Sequence, residues 1–253
     1  MTAGRISSLL TSRIIGRPTR VYQELTSTND LASQLGNEGA PEGFAIFAET
    51  QTKGRGRLGR SWQSTAGDSL SFSILLRPSW PDISRMSLAA ACAVARALDN
   101  LTDLPVGIKW PNDIYIDGRK VAGILCEAGK QFLVVGIGLN VFQQVEDFPE
   151  ELRERAGSLA MFANKEIDRA ELAASILDAL DRIYLTLPDG FTNVKEECQR
   201  RSVLLNREIA VEMGCERVTG TVTGLDGSGA LRVLQASGEE ILVSAGEVTL
   251  LTV

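Results

Sequence analysis

Residues 54–60, Gly54-Arg55-Gly56-Arg57-Leu58-Gly59-Arg60, set three arginines among three glycines. Glycines let backbone N–H groups come close to a ligand, and guanidinium forks hold carboxylate or phosphate oxygens without losing their charge. Such a run suits a dense anion, for example an acyl carboxylate lying beside a triphosphate. A second constellation, Lys109-Trp110-Pro111-Asn112-Asp113, puts one lysine at the end of an apolar strand. A buried ammonium there needs an anionic partner, and a negatively charged substrate is one candidate. Asn112 and Asp113 carry side chains suited to nucleotide hydroxyls, although turn formation alone also accounts for them.

Other readings of the same residues fail on context. The glycine loop matches G-x-G-x-x-G in form, but no amphipathic helix starts after Gly59. The first acid downstream, Asp68, falls well short of the roughly 20-residue offset of a ribose-binding carboxylate. A protein-kinase loop is excluded because residues 121–124 hold no strand lysine. The chain contains no histidine, which removes Ser-His-Asp and Cys-His hydrolysis, His-ligated metals and imidazole proton shuttles. Lys, Arg, carboxylates, hydroxyls and backbone amides must do the chemistry.

The elements that position these groups follow from pattern. Residues 21–25 read as a strand, and Ser27-Thr28-Asn29-Asp30 as a capping box opening a helix that ends near Gly36. Residues 44–49 and 70–76 read as strands flanking the cationic loop, and residues 86–98, apolar on nearly every face, as a buried helix. Strands over 106–110, 114–116, 121–127 and 132–137, joined by tight turns, make an antiparallel meander. A helix is expected over residues 169–187, stopped by Pro188-Asp189-Gly190. Helices and strands are segregated, which predicts an α+β fold built on a mixed, mainly antiparallel sheet. From Arg207 the texture changes to short strands at 209–213, 218–225, 230–234 and 240–243, predicting a small SH3-like β-barrel after a boundary near residues 202–206.

The balance of 26 basic against 32 acidic residues gives a net charge of −6, which repels a long nucleic acid and leaves cationic sites local. No apolar run is long enough to span a bilayer and residues 1–10 do not read as a secretory signal, so a cytoplasmic protein without membrane contact is expected. Cys92, Cys126, Cys198 and Cys215 are spaced unlike zinc ligands and are read as buried thiols.

Ser27-Thr28-Asn29, Gln51, the loop 54–60 with Trp62, Lys109-Trp110-Pro111-Asn112-Asp113, Lys120-Val121-Ala122-Gly123-Ile124-Leu125 with Glu127, and Gly136-Ile137-Gly138-Leu139-Asn140 occur in one order. Residues 21–141 thereby resemble biotin protein ligases, and the C-terminal segment is similar to that family's small terminal domain. The resemblance implies a class II synthetase-like catalytic domain at 1–203 and an SH3-like domain at 204–253. It implies ATP with Mg2+, biotin as substrate, and a biotin carboxyl carrier protein as acceptor. Biotin carboxylate would attack the ATP α-phosphate to give biotinyl-5′-AMP, and an acceptor lysine would then take the biotinyl group without a covalent enzyme intermediate.

Carried over by position, Ser27, Thr28, Asn29 and Gln51 correspond to ring contacts, and Arg55 and Arg57 to contacts with the carboxylate and phosphates. Gly56 would offer a backbone amide, and Lys109 is the catalytic lysine, with Arg57 beside it in the chemistry. Arg60, Trp62, Asn112 and Asn140 fall on the adenylate side, and Gly123 would let the ureido ring approach the sheet. Trp62 as core, Gly123 as a packing glycine and Asn140 as a turn residue are the structural alternatives. No metal ligand is assignable. Many bacterial members begin with a winged-helix repressor domain, whereas here the biotin-contacting segment starts by Ser27, so no DNA-binding activity is expected. Monomer and homodimer both remain open. A lipoate-type ligase shares the chemistry but not the dense Gly-Arg loop, and a non-catalytic small-acid binding module does not explain Lys109 together with that loop.

Overall fold

Large aliphatic residues recur at every second position of the central strands, and this alternation decides which face of the sheet is filled by helices. In the computed structural model, which describes residues 1–79, 82–187, 189–214 and 216–251, seven strands form that sheet. They are β1 (Thr19–Leu25), β2 (Ala45–Gln51), β3 (Ser69–Leu76), β4 (Val106–Lys109), β5 (Asp113–Ile116), β6 (Arg119–Ala128) and β7 (Leu133–Asn140), in the order β1-β2-β3-β7-β6-β5-β4. Only β1 and β2 pair in parallel; β4 to β7 form the expected meander.

Leu70, Phe72, Ile74 and Leu76 of β3, with Val135, Ile137 and Leu139 of β7 and Ile124 of β6, belong to the main core. Helices α3 (Ile83–Leu98) and α4 (Arg169–Tyr184) close that core. Asp82 and Asp168 cap them by accepting from Arg85 N and from Ala170 N and Glu171 N. The opposite face is different. There α2 (Thr28–Asn37) covers only a small cluster of Ala32, Phe44, Ile46, Leu75, Phe132 and Val134, and the rest is lined by Ser71, Ser73, Gly123, Gly136 and Gly138. One face of the sheet holds the molecule together, and the other is left shallow.

Several sequence expectations are corrected in detail. Ser27 Oγ does cap α2 at Asp30 N, but the Asp30 carboxylate bonds to Arg55 rather than returning to the cap, so the capping box is only half made. Helix α4 ends at Tyr184, because Thr186 N and Leu187 N bond to carbonyls three residues back and tighten the chain out of α geometry; Pro188 lies outside the described residues. Helices α1 (Ala3–Leu9) and α5 (Phe191–Arg200) carry too few apolar residues to be legible by period. Cys92 and Cys198 are buried, with their sulfurs 3.2 Å apart, and burial pushes the Cys126 thiol up to about 12; Cys215 lies outside the described residues.

The C-terminal strands β8 (Glu208–Met213), β9 (Glu216–Leu225), β10 (Leu231–Leu234), β11 (Glu240–Val243) and β12 (Glu247–Leu250) form an antiparallel SH3-like unit in the order β11-β10-β9-β8-β12. Strand β12 was not anticipated. The unit docks on the first sheet through Trp110, whose Nε1 donates to Gly229 O at 2.9 Å in a buried contact.

Candidate active site

The shallow face becomes a site because small residues let side chains from the loops lie directly on the strands. A Cβ on Gly136 would stand 2.1 Å from Asn29 Oδ1, and one on Gly138 would stand 2.3 Å from the Trp62 ring. Gly123 is looser, with Lys120 Nζ at 3.2 Å and the Trp62 ring at 3.3 Å from its virtual Cβ. The alternate glycines of β7 therefore seat two site residues whose spacing in sequence gives no hint of the contact.

At one end of the cleft lies a buried polar pocket. Thr28 N donates to Gln51 Oε1 at 2.8 Å, and Thr28 Oγ1 lies 3.1 Å from the same oxygen. Ser73 Oγ lies 2.7 Å from Thr28 Oγ1 and 2.5 Å from Asn29 Oδ1, and Asn29 Nδ2 donates to Glu127 Oε2 at 2.6 Å. Beside it, Ser71 Oγ and Trp62 Nε1 are buried polar atoms with no hydrogen-bond partner among the described residues. Groups in that condition are satisfied when a polar ligand arrives.

The cationic loop crosses the cleft as a tight hairpin, with Trp62 N donating to Gly54 O at 2.8 Å and Gly56 N to Arg60 O at 2.7 Å. The Gly56 amide is thus engaged within the loop. Arg55 reaches Asp30 Oδ1 at 2.6 Å and Glu127 Oε2 at 3.0 Å. Arg57 donates to Asn112 Oδ1 at 3.0 Å and to Gly246 O at 3.2 Å, and Arg60 pairs with Glu247. Loop, turn 110–112 and C-terminal unit meet at these arginines. Burial lowers the Arg57 pKa, while the Asp113 and Glu247 carboxylates pull it back.

Lys109 ends β4 on the same face, with its ammonium 5.6 Å from the Tyr115 ring centroid and no ion pair or hydrogen bond among the described residues. Burial lowers its pKa, Asp113 partly offsets this, and Lys120 adds to it. Burial and Asp113 push the Tyr115 phenol up to about 12. Lys120 pairs with Asp113 at 2.7 Å and lies 5.7 Å from the Trp62 ring. A half-buried ammonium without an ion pair among the described residues, in the field of Lys120 and Arg60, is a place built for an anion.

The structure brings most of the residues singled out in the sequence onto one face of the sheet, with two qualifications. Asn112 Nδ2 donates to Ile124 O at 2.7 Å and Asn140 Nδ2 to Gly157 O at 2.9 Å, so both amides brace the backbone in this arrangement. Ser73, Lys120, Gly246 and Glu247 carry no role in the sequence reading, and Asp113, a candidate for nucleotide hydroxyls there, pairs with Lys120. Ser73 was foreshadowed by the Ser69, Ser71, Ser73 alternation on one strand face, and Lys120 stood within a motif already noted. Nothing local marks Gly246 and Glu247, which arrive from a separate fold unit.

Residues 21–141 match the model of the biotin/lipoate A/B protein ligase family, and residues 204–251 match the biotin protein ligase C-terminal domain. The chain belongs to the biotin protein ligase family. Among relatives, the bifunctional ligase/repressor BirA of Bacillus subtilis is 34% identical, with 93% of this chain and 75% of that protein aligned. The biotin–[acetyl-CoA-carboxylase] ligase of Mycobacterium tuberculosis is 33% identical over 92% of this chain and 88% of its own length. The structure of the biotin protein ligase from Aquifex aeolicus in complex with biotin and ATP superposes with a TM-score of 0.84 at 32% identity, covering 92% of this chain and 99% of that one. Family membership agrees with the α+β fold and the SH3-like unit read from the sequence. Among the described residues, no group of three or more Asp, Glu, Cys or His could hold a metal ion. Among those residues the side chains do not fit a protein-built Mg2+ cage.

Proposed function

We propose that this chain joins biotin to ATP, forming biotinyl-5′-AMP and pyrophosphate, and then passes the biotinyl group to a lysine of a biotin carboxyl carrier protein. The observation that carries this reading is Lys109, an unpaired and half-buried cation, facing the same cleft as Arg57 and the polar pocket of Thr28, Asn29 and Gln51. In the first step a carboxylate oxygen bonds to the α-phosphorus as the bond to pyrophosphate breaks, and Lys109 and Arg57 stabilise the charge accumulating on the phosphates. In the second, the lysine amine bonds to the acyl carbon, loses a proton, and AMP leaves. The pocket around Ser27, Thr28, Asn29 and Gln51 takes the ring, Arg55 and Arg57 the carboxylate side, and Arg60, Trp62, Asn112 and Asn140 the nucleotide side. Lys120, paired with Asp113 beside Gly123, adds a second lysine at the junction.

The division at residues 203 and 204, a cytoplasmic setting where ATP is available, and the absence of operator binding belong to the same reading. The net charge of −6 supports the last point, since it repels a long nucleic acid. Gel-shift titration of this chain with biotin and ATP should give no sequence-specific complex at nanomolar protein. The deciding experiment is ATP–pyrophosphate exchange. Exchange that depends on biotin and is not supported by lipoate is expected; exchange driven by lipoate, or none at all, overturns the reading in favour of a lipoate-type ligase or a binding module.

A further inference from the structure

Glu127, at the end of β6, belongs to a motif noted in the sequence and joins two groups already placed in the site. Its Oε2 accepts two hydrogen bonds, from Asn29 Nδ2 at 2.6 Å and from Arg55 Nη2 at 3.0 Å. The first partner belongs to the buried ring pocket and the second to the cationic loop. Glu127 is where the two halves of the cleft join.

An ionised carboxylate only accepts, so Asn29 must turn its amide NH2 toward Glu127 and its carbonyl oxygen toward Ser73. That oxygen has no proton, so the 2.5 Å contact requires Ser73 Oγ to donate to it. Ser73 has then used its one proton and only accepts at its 2.7 Å contact with Thr28 Oγ1. Glu127, together with the Leu125 carbonyl that accepts from the same Nδ2 at 3.3 Å, thereby sets the direction of the bonds from Asn29 through Ser73 to Thr28. The same oxygen holds Arg55, whose other carboxylate, Asp30, meets no pocket side chain among the described residues.

We infer that Glu127 is a positioning residue that couples the ring pocket to closure of the cationic loop, so that a ligand ordering Asn29 also favours the bound position of Arg55. This rests on the ligase reading above. The coupling is a free energy between two contacts, and a double-mutant cycle measures it. Biotin Kd is measured calorimetrically for Asn29→Ala, Arg55→Ala and the pair, in the otherwise native chain and again with Glu127→Gln. Glutamine keeps the shape but can present its NH2 to Asn29 or Arg55, and the Glu127 side chain is 29% exposed, so the fold tolerates the change.

The pair should be non-additive by about 5- to 10-fold in the native background. It should become additive within about 2-fold with Glu127→Gln. Glu127→Ala should abolish the coupling equally, whereas Asp30→Asn should preserve it. The exchange kcat at saturating biotin should change far less than the biotin KM, because Glu127 touches no reacting atom. Additivity in the native background, or coupling that survives both Glu127 substitutions, overturns the inference while leaving the ligase reading intact. Failure of the native chain to bind biotin at all overturns both.

Discussion

Lys109 is held half-buried on a strand end, without an ion pair among the described residues, and its expected behaviour follows from that. Lys109→Ala should slow adenylation by about 10²- to 10³-fold, the usual loss for one preorganised charge at a developing oxyanion, with a much smaller change in biotin Kd. Wild-type exchange by this variant would make the lysine structural. Because burial lowers the pKa from 10.5, the free enzyme keeps the charge below that lowered value and loses it as pH rises through it. The alkaline limb of kcat/KM should therefore lie below the range of an ordinary lysine and move to higher pH with Lys109→Arg. The linkage to stability has the opposite sign. The unfolded chain binds this proton more tightly, so the contribution of Lys109 to stability grows as pH rises between the lowered pKa and 10.5. Arg57 has a different part, since it ties the loop to both Asn112 and Gly246. Arg57→Gly should still form adenylate but release it, biotinylating lysines on a protein with no acceptor sequence; equal and negligible labelling by both enzymes, with adenylate synthesis confirmed in each, would rule out retention.

At the scale of elements, the strands show how far pattern reaches. Pattern marks β3 and β6 and the helix-packed face, because burying one face is a strong local constraint, but it marks β7 only to Ile137, three residues short of its end at Asn140. The meander followed from tight turns, and Asp117-Gly118, with φ of 48° and 74°, adopts the left-handed pair that a two-residue hairpin needs. Alternation does not say what occupies the other face. That Gly136 exists for Asn29 and Gly138 for Trp62 depends on contacts between residues more than 75 positions apart, and no local signal carries it. The family motif marked both glycines without giving the reason. Gly136→Ala tests that reason: the new methyl at 2.1 Å from Asn29 Oδ1 has to displace the side chain, since the strand is paired on both sides. Biotin binding should weaken by at least about 10-fold, with a stability loss of about 1–3 kcal/mol for overpacking. Unchanged biotin affinity would show that Asn29 is not held against the ring.

At the scale of the whole molecule, the C-terminal unit completes the cationic site although its sequence shows only a small barrel. Trp110 Nε1 bonds to Gly229 O, and the adjacent turn 110–112 is where Arg57 meets Asn112, so docking of the unit and placement of that turn are linked. Removing the unit would expose the buried face around Trp110 and confuse instability with catalysis; a single charge is the cleaner probe. Glu247 pairs with Arg60 and raises the pKa of both Arg57 and Lys109. In the ligand-free enzyme it therefore occupies, with its own negative charge, part of the field that phosphate must claim. Two effects of Glu247→Gln oppose each other. Loss of the ion pair frees Arg60 to move, but Arg60 is 63% exposed, and an exposed pair orders its partner only weakly. Loss of the competing charge raises the local positive potential for every phosphate oxygen. The second effect should win, so Glu247→Gln should tighten ATP binding by about 2- to 5-fold at low ionic strength. The gain should vanish in molar salt, where screening shortens the Debye length to about 3 Å. Weaker ATP binding by the variant at low salt would mean that the C-terminal carboxylate orients Arg60 for the nucleotide rather than competing with it.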